Sequence, residues 1–286
     1  MMSRTSRVAL ITGASSGIGL ETALGLARQG YHVVVVGRDP ERTQEVSERI
    51  RMAGGSAEHA LANFSSLEQV AELARTFEAR HARLDVLVNN AGLWHPVRQL
   101  SQDGFEDTFA VNHLAAFLLT RLLERCLTAV PGARVVTVSS RLHIKPKSFD
   151  FGDVMSEHNY EGRYVYAKSK LANILFSNQL ARRLKARGVT SNSVHPGSVV
   201  TNVVRDSRLL SWGAKLPLPG LISARDGALP SLFVATSPSL EGVTGNYFAA
   251  GPDQAAQAHV PSKAALDVRA AEQLWELSDN LVSPHV

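Results

Sequence analysis

Two overlapping tyrosine–lysine pairs are the side chains of this sequence best suited to proton transfer. Tyr166 and Lys170 are four residues apart, and Tyr164 and Lys168 repeat that spacing. Side chains at i and i+4 share one face of a helix, so either ammonium would lie beside its phenol and favour the ionised form. A phenol whose pKa falls from about 10 towards about 7 could protonate the alkoxide that forms when a hydride is transferred to a carbonyl group. Taken alone, this spacing is a weak signal.

The same chemistry needs a hydrogen-bond donor for the carbonyl oxygen. Ser139 and Ser140 end a run of β-type residues. Active sites of open α/β sheets lie beyond the carboxyl ends of the strands. A serine hydroxyl at that place would polarise the carbonyl and stabilise the developing oxyanion.

A glycine-rich turn near the N-terminus predicts a dinucleotide site. The segment VALITGASSGIG (residues 8–19) joins a β-type run to an amphipathic helix, so backbone N–H groups and the helix dipole converge where a pyrophosphate would bind. Gly13 permits the tight turn, Gly17 lets the backbone approach the phosphates, and Gly19 lets the helix pack against its strand. The predicted phosphate-binding residues are Gly13, Ser15, Ser16, Gly17, Ile18 and Gly19.

Short apolar segments alternate with longer helical patterns along the chain. Segments such as VVVV and VLVN are apolar on both faces, which favours a parallel sheet covered by helices on each side. We therefore expect an α/β fold, a single-domain doubly wound (Rossmann) parallel sheet with helices on both faces. The predicted strands are Val8–Thr12, His32–Val36, Ala57–Leu61, Asp85–Asn89, Arg134–Ser139, Thr190–His195 and Asn246–Ala249.

Length and composition are typical of one α/β domain. The chain has 286 residues, 44% of them hydrophobic, which is ample for a buried core. No linker, repeat or low-complexity segment divides it. We expect one domain over residues 1–286, with a cofactor half at about 1–133 and a catalytic and substrate half at about 134–286. The apolar segment at about 202–223 is predicted to be a flap.

Charge and cysteine content exclude several functions. The net charge of +4 is mildly basic, but the lysines and arginines are scattered, so no nucleic-acid partner is expected. No apolar run approaches the roughly 18 residues of a membrane span, which predicts a soluble, cytoplasmic protein. Cys126 is the only cysteine, so intrachain disulfides are impossible. His143 and His195 lack clustered acidic partners, so no metal site is expected.

From Val8 to the C-terminus the sequence resembles the short-chain dehydrogenase/reductase family. The family pattern TGxxxGxG is present at residues 12–19, and NNAG is present at residues 89–92. The segments SKLANILFSNQLARRL, SVHPGSV and LWELSDNLV are similar to the retinol-dehydrogenase-like branch. The resemblance implies a nicotinamide cofactor and a hydride-transfer site.

The resemblance also implies the catalytic residues. Ser140 would hold the carbonyl oxygen, and Tyr166 would transfer the proton. The family places a small residue, commonly serine, before its lysine, which favours Lys170 over Lys168. Asn112, in FAVNHL, matches a fourth catalytic residue that holds a water of the proton relay. Without the other three, it would be interpreted as an asparagine at a helix kink.

The remaining cofactor contacts are implied by the same resemblance. The NNAG segment would lie beside the adenosine ribose, and an asparagine stands where relatives carry an aspartate for the adenine amine. A loop after the sixth strand would shield one face of the nicotinamide, and the catalytic lysine would bind its ribose. The implied residues are Asn63, Phe64, Asn89, Ala91, Gly92, Tyr166, Lys170, Pro196, Gly197, Val199 and Thr201.

The end of the second strand favours NADP(H) over NAD(H). NAD-specific Rossmann folds place a carboxylate there for the ribose hydroxyls, whereas NADP requires a cation for its 2′-phosphate. Gly37 occupies the carboxylate position and Arg38 follows it, and a guanidinium can bind phosphate through two hydrogen bonds. Asp39 could instead bind a ribose in an NAD-dependent dehydrogenase, but its role as an N-cap before Pro40 explains it without a ligand.

Apolar residues near the expected site predict an apolar substrate. The substrate-pocket candidates are Leu93, Trp94, Arg141, Val203 and Trp212, and the segment at 202–223 is rich in apolar residues. An apolar alcohol, aldehyde or ketone is therefore expected, as for a carbonyl reductase. Alternatively, these residues close the core or a subunit interface.

Two further questions stay open at this stage. The fold can bind NADP(H) without turnover, so a catalytically silent regulatory protein is the alternative function. Relatives commonly assemble through the helices that bear Asn112 and Tyr166, so a homodimer or homotetramer is possible, although some members of the branch are monomeric.

Overall fold

A sheet of eight strands forms the centre of the structure. In the computed structural model, residues 6–197, 222–250 and 256–286 are described. The strands are β1 (Val8–Thr12), β2 (His32–Gly37), β3 (Ser56–Leu61), β4 (Val86–Asn89), β5 (Arg134–Val138), β6 (Thr190–His195), β7 (Tyr247–Ala250) and β8 (Ala256–His259). Their order is β3-β2-β1-β4-β5-β6-β7-β8, in which β1 to β7 are parallel and β8 pairs antiparallel with β7.

The described helices connect these strands. They are α1 (Gly17–Arg28), α2 (Pro40–Met52), α3 (Leu67–Arg80), α4 (Asp107–Phe109), α5 (Ala115–Leu122), α6 (Glu124–Thr128), α7 (Gly162–Leu184), α8 (Ala224–Thr236) and α9 (Val268–Val282). A π-helical segment, Ala110–Leu114, joins α4 to α5 without a break. Shorter 3₁₀ turns cover Arg141–Ile144, Lys185–Arg187, Pro238–Leu240, Lys263–Leu266 and Ser283–His285.

Strand alternation places helices on both faces of the sheet. In β1, Val8 and Leu10 pack into a cluster with residues of α3, α5, α7 and α9. Ala9 and Ile11 point the other way, into a cluster with residues of α1, α2 and α8. The predicted doubly wound α/β fold with helices on both faces is therefore confirmed.

The sheet departs from the prediction at its far edge. Each of the seven predicted strands is present within one residue of its expected bounds, but β8 was not predicted and makes the sheet mixed rather than wholly parallel. Its sequence, AQAH, is short and largely exposed. It therefore lacks the apolar run that marks a buried strand.

Capping residues set where two of the helices begin. The Asp39 side chain accepts a hydrogen bond from the Arg42 N–H at the start of α2 (3.1 Å), and Pro40 is the first helical residue. Ser66 accepts from the Gln69 N–H at the start of α3 (3.4 Å). Both contacts satisfy N–H groups that a helix cannot pair internally.

The C-terminal helix α9 covers part of α5 and α7. Trp275 of α9 stacks against Phe176 of α7 (6.0 Å between ring centroids) and contacts the edge of Phe117 of α5 (4.9 Å). The Arg183 guanidinium lies over the Trp275 ring, 4.4 Å from its centroid. Among the helices of the described residues, none has the length and apolar character needed to cross a membrane.

Truncating Phe117 should strongly destabilise the fold. The side chain is fully buried and contacts both Phe176 (5.6 Å) and Trp275, so Phe117→Ala should lower the free energy of unfolding by about 3–5 kcal/mol in urea titrations. Met52 is 84% exposed, so Met52→Ala should change it by less than about 0.5 kcal/mol. Similar losses in the two variants would contradict this packing.

Candidate active site

A cleft of about 900 Å³ opens at the carboxyl ends of the parallel strands. Its walls come from the turn after β1, the ends of β2 and β3, the loop after β4, the end of β5, helix α7 and the loop after β6. Ligands of open α/β sheets bind at this edge, where strand order reverses between β1 and β4.

The glycine-rich turn forms one end of the cleft. Gly13 and Gly17 have positive φ angles (+64° and +59°), which glycine adopts without strain. A Cβ on Gly19 would lie 2.4 Å from the Gly13 carbonyl oxygen, so only glycine fits there. Ser16, the N-cap of α1, makes no side-chain capping hydrogen bond, unlike Asp39 and Ser66. The first residues of α1 line the cleft and their N–H groups are not capped by Ser16, as a pyrophosphate site requires.

All six residues predicted in this turn line the cleft. Asn90 braces the turn from the neighbouring strand, because its side-chain N–H groups donate to the carbonyls of Thr12 (2.8 Å) and Gly13 (3.3 Å). The Thr12 hydroxyl in turn accepts from the backbone N–H groups of Asn90 and Ala91 (3.0 Å each). The two loops are thus held together at the base of the cleft.

Asn89 is not where the sequence resemblance put it. Its side chain is buried on the α5 side of the sheet and donates to the Thr120 hydroxyl (3.0 Å). It does not line the cleft, whereas Asn90, Ala91 and Gly92 do. The reason is the alternation of successive side chains along β4, which turns position 89 away from the cleft.

Gly37 and Arg38 line the cleft at the end of β2. Arg38 is exposed and forms no hydrogen bond or ion pair with any residue that the structure describes. Asp39 is not part of the cleft wall. Its carboxylate caps α2 and lies 3.5 Å from the Arg42 guanidinium, so both of these charges are already paired.

The space around Gly37 is closed. A Cβ on this residue would lie 2.3 Å from the Thr43 hydroxyl oxygen and 3.1 Å from the Ser15 Cβ. The Thr43 hydroxyl donates a hydrogen bond to the Asp39 carbonyl oxygen (2.5 Å). A larger side chain at position 37 would therefore have to displace Thr43.

Asn63 and Phe64 form the adjacent wall of the cleft. The Asn63 side-chain oxygen accepts a hydrogen bond from the Ser65 N–H (3.2 Å), and its own backbone N–H donates to Gln69 (2.9 Å). A carbonyl oxygen has two lone pairs, so one remains for a ligand.

The two tyrosine–lysine pairs lie in different environments. Tyr166 and Lys170 both line the cleft, with the Lys170 ammonium 5.5 Å from the centroid of the Tyr166 ring. Tyr164 is 40% exposed and is not part of the cleft wall. Lys168 points elsewhere: its ammonium donates to the Asp153 carbonyl (2.6 Å) and to the Ser156 hydroxyl (2.7 Å).

Burial dominates the ionisation of the cleft pair. Desolvation raises the pKa of Tyr166 to about 12, although a hydrogen bond with Ser140 acts in the opposite direction. Desolvation also lowers the pKa of Lys170 to about 8. The residue spacing alone predicts that the ammonium lowers the phenol pKa. Burial, which opposes charge on both groups, outweighs that effect in the fold.

Ser140 and Ser139 both line the cleft at the end of β5, but their hydroxyl groups have different partners. Ser140 lines the cleft, its hydroxyl oxygen accepts from the Leu142 N–H (3.2 Å), and the same side chain acts to lower the pKa of Tyr166. The Ser139 hydroxyl donates to the Lys170 backbone carbonyl (2.7 Å) and is buried. Ser139 therefore ties α7 to β5, and Ser140 is available to a ligand.

Asn112 lies behind the cleft, in the π-helical segment. Its side-chain oxygen accepts from the Leu93 N–H (2.8 Å), and its amide donates to the Leu93 carbonyl (2.9 Å) and the Ser169 hydroxyl (2.9 Å). It is fully buried and does not line the cleft. A Cβ on Gly92 would lie 3.2 Å from both the Asn112 oxygen and the Lys170 ammonium, so both groups lie directly beside Gly92.

The predicted substrate pocket is described in part. Leu93, Trp94 and Arg141 line the cleft near Ser140, as do Pro196 and Gly197 after β6. The other candidates, Val199, Thr201, Val203 and Trp212, and most of the segment at 202–223, lie outside the described residues.

His195 was not predicted to be a site residue, yet it lines the cleft. Its Nδ1 accepts a hydrogen bond from the Arg141 N–H (3.3 Å), which leaves Nε2 to carry the proton. Burial, followed by the charges of Arg141 and His143, lowers the pKa of His195 to about 4. The ring is thus a neutral donor at neutral pH. The sequence feature that could have identified His195 as a cleft residue is its position at the end of β6, directly before Pro196.

Comparison with known proteins places these features in a family. Residues 7–210 match the family model described as short chain dehydrogenase. The chain is 38% identical to retinol dehydrogenase 14 of Mus musculus and 38% identical to retinol dehydrogenase 12 of Homo sapiens, each alignment covering 96% of this chain and 86% of the relative. The structure of a gluconate 5-dehydrogenase from Burkholderia cenocepacia J2315 in complex with NADP and tartrate matches with a TM-score of 0.66 and 25% identity, covering 92% of this chain and 96% of that one.

The family match spans well over half of the chain, and the alignments with both retinol dehydrogenases extend over nearly all of it. It includes the glycine-rich turn, the loop after β4 and helix α7, which together form most of the cleft. The chain is therefore an oxidoreductase of the short-chain dehydrogenase family and belongs to its retinol-dehydrogenase-like branch.

Proposed function

We propose that the protein interconverts an apolar alcohol and its aldehyde or ketone with NADP(H) as the hydride carrier. One observation carries this proposal: Tyr166, Ser140 and Lys170 line a single cleft, and Ser140 lies close enough to the Tyr166 phenol to act on its pKa. A carbonyl oxygen bound at this wall would contact both hydroxyl groups.

The proton chemistry follows from these positions. The Ser140 hydroxyl oxygen accepts a hydrogen bond from the Leu142 N–H. The hydroxyl can still donate its own proton to a carbonyl oxygen and stabilise the charge that develops there. Tyr166 is uncharged at neutral pH because its pKa is raised to about 12. Carbonyl reduction consumes this protonated form. NADPH, when bound, would supply the hydride.

The positive charge of Lys170 assists the same proton transfer. With a pKa lowered to about 8, the amine is still protonated at neutral pH. As the Tyr166 proton leaves, the ammonium stabilises the phenolate across the ring. Asn112 contributes as a positioning residue, since it holds the Leu93 backbone beside the reacting groups.

The choice of NADP(H) rests on charge at the end of β2. Arg38 is an exposed cation with no partner among the described residues, as a 2′-phosphate site requires. Gly37 has no room for the carboxylate that an NAD site would carry there, and Asp39 is already paired as a cap. The related gluconate 5-dehydrogenase, which was solved with NADP, is a further support.

The substrate class rests on the residues that surround the reacting groups. Leu93, Trp94 and Leu142 line the cleft and are half-buried, so an apolar substrate would cover them on binding. The relatives named retinol dehydrogenase 14 and 12 act, by their names, on an apolar alcohol.

The first test removes the phenol hydroxyl. Tyr166→Phe should lower kcat/KM for NADPH-dependent reduction of apolar aldehydes by about 10²–10⁴-fold, because the proton donor is lost. Tyr164→Phe is the matched control, since the same atom is removed outside the cleft, and its kcat/KM should stay within about twofold of the parent. Tight NADPH binding without turnover of any aldehyde or ketone by the parent protein would instead favour the silent regulatory protein.

The second test removes the cation at the end of β2. Arg38→Ser should raise the KM for NADPH by about tenfold or more, the loss expected for a charged hydrogen bond, and should leave the KM for NADH nearly unchanged. Arg42→Ser removes a guanidinium that is paired with Asp39, so its effect on the KM for NADPH should be small. An equal rise for both cofactors in Arg38→Ser would contradict 2′-phosphate recognition.

The third test measures how burial acts on Lys170. The folded protein disfavours the ammonium, so Lys170→Met should raise the free energy of unfolding below pH 8. This gain should shrink between about pH 8, the pKa in the fold, and pH 10.5, the ordinary lysine value, because the folded protein then sheds the disfavoured charge while the unfolded chain still binds the proton. Urea titrations of both proteins across this range give the difference. A constant difference would show that Lys170 keeps an ordinary pKa in the fold.

A further inference from the structure

We infer that His32, Glu58 and His81 form a binding site for one divalent transition-metal ion, with zinc as the favoured metal. The three residues belong to different elements: His32 begins β2, Glu58 lies in β3, and His81 directly follows α3. One nitrogen or oxygen atom from each lies within 4.8 Å of the others.

Strand register brings the first two residues together. His32 pairs with Ser56 across β2 and β3, and Glu58 lies two residues further along β3. Because side chains alternate along a strand, Ser56 and Glu58 share one face. This is the face covered by α3, whose Phe77 packs in the same cluster as Val34 of β2. His81 directly follows the last turn of α3 and therefore lies beside the two strands.

The side chains already approach a ligand geometry. The Nε2 of His81 lies 2.7 Å from a Glu58 carboxylate oxygen, and the His32 and His81 ring centroids are 5.5 Å apart. Ligand atoms of one tetrahedral zinc lie roughly 3.4 Å apart, given metal–ligand distances of about 2.0–2.2 Å. Side-chain rotations that move the ligand atoms by about an ångström would therefore complete a four-coordinate site, with water as the fourth ligand.

The chemistry of the ligand set favours zinc. Two imidazoles and one carboxylate suit zinc and its neighbours in the first transition row, whereas magnesium and calcium prefer sets made only of oxygen atoms. Glu58 can bind through the oxygen that faces His81, since its other oxygen lies 3.4 Å from the largely exposed Arg80 guanidinium.

Neighbouring groups orient the two imidazoles. The Nδ1 of His32 lies 2.7 Å from the Ser56 hydroxyl, which leaves Nε2 of His32 for the metal. The His81 ring packs against the Phe77 ring (4.7 Å), and its side chain is only 14% exposed. Fixing the second nitrogen and the ring plane in this way is typical of histidine ligands.

The location indicates a stabilising role. His32 stands at the opposite end of β2 from the cleft, and the six residues of this strand place its two ends about 17 Å apart. A metal here would link the end of α3 to β2 and β3, at the edge of the sheet. Since the site requires three folded elements, the metal would bind the native state and raise the melting temperature.

Zinc titration of the full chain tests the site. The protein, stripped of metal with a chelator and dialysed, should bind one Zn²⁺ in competition with a chromophoric chelator, and Co²⁺ should give the visible absorption of a tetrahedral site. Glu58→Gln and His81→Gln should each weaken zinc binding at least about tenfold and remove the rise in Tm with zinc. His158→Gln, at a histidine whose side chain is 78% exposed, should do neither.

Glu58→Gln keeps the size and shape of the side chain but loses the ion pairs with His81 and Arg80, so its Tm without metal should fall only slightly, and the change in Tm on adding zinc separates metal loss from misfolding. The proposal is overturned if no saturable 1:1 binding occurs, or if binding in both site variants equals that of the parent. It is equally overturned if His259→Gln, near the separate group of His143 and His195, removes zinc binding while His81→Gln does not.

Discussion

The attachment of α7 to the end of β5 is the constraint on which the cleft chemistry depends. The Val138 carbonyl accepts hydrogen bonds from both the Lys170 ammonium (3.1 Å) and the Asn173 amide (3.2 Å). One residue further on, the Ser139 hydroxyl donates to the Lys170 carbonyl (2.7 Å). These three bonds fix the rotation and height of α7 against the strand. Tyr166 consequently meets Ser140, and Tyr164, on the other side of the same helix turn, does not.

This attachment also explains the electrostatics of the cleft. Lys170 is almost completely buried and donates to a carbonyl, without a carboxylate partner in the parts of the chain that are described. Its charge is therefore available to the phenol, but burial weakens the charged forms of both groups. The site thus favours a neutral acid beside an ammonium that titrates close to physiological pH, a balance that nearby charge can shift in either direction.

The fold and much of the cleft were predictable from local patterns. Apolar strands and a glycine-rich turn act over a few residues, so the seven parallel strands and the position of Gly13 to Gly19 could be inferred directly. The choice between Tyr166 and Tyr164 needed the family resemblance, since both pairs have the same spacing.

Other features depend on contacts between distant parts of the chain. Position 89 was assigned to the cofactor because NNAG was treated as one unit, although strand alternation separates Asn89 from Asn90. The raised pKa of Tyr166 depends on burial by several elements. The proposed metal ligands, His32, Glu58 and His81, are far apart in sequence, and no spacing motif links them.

The crowding around Gly37 restricts which substitutions this position can accept. Any substitution at that residue meets the hydroxyl of Thr43, which is itself anchored to the backbone that begins α2. An acidic side chain there would need the Thr43 side chain to move or to be replaced by a smaller one. The residues at positions 37 and 43 are thus coupled through one shared space.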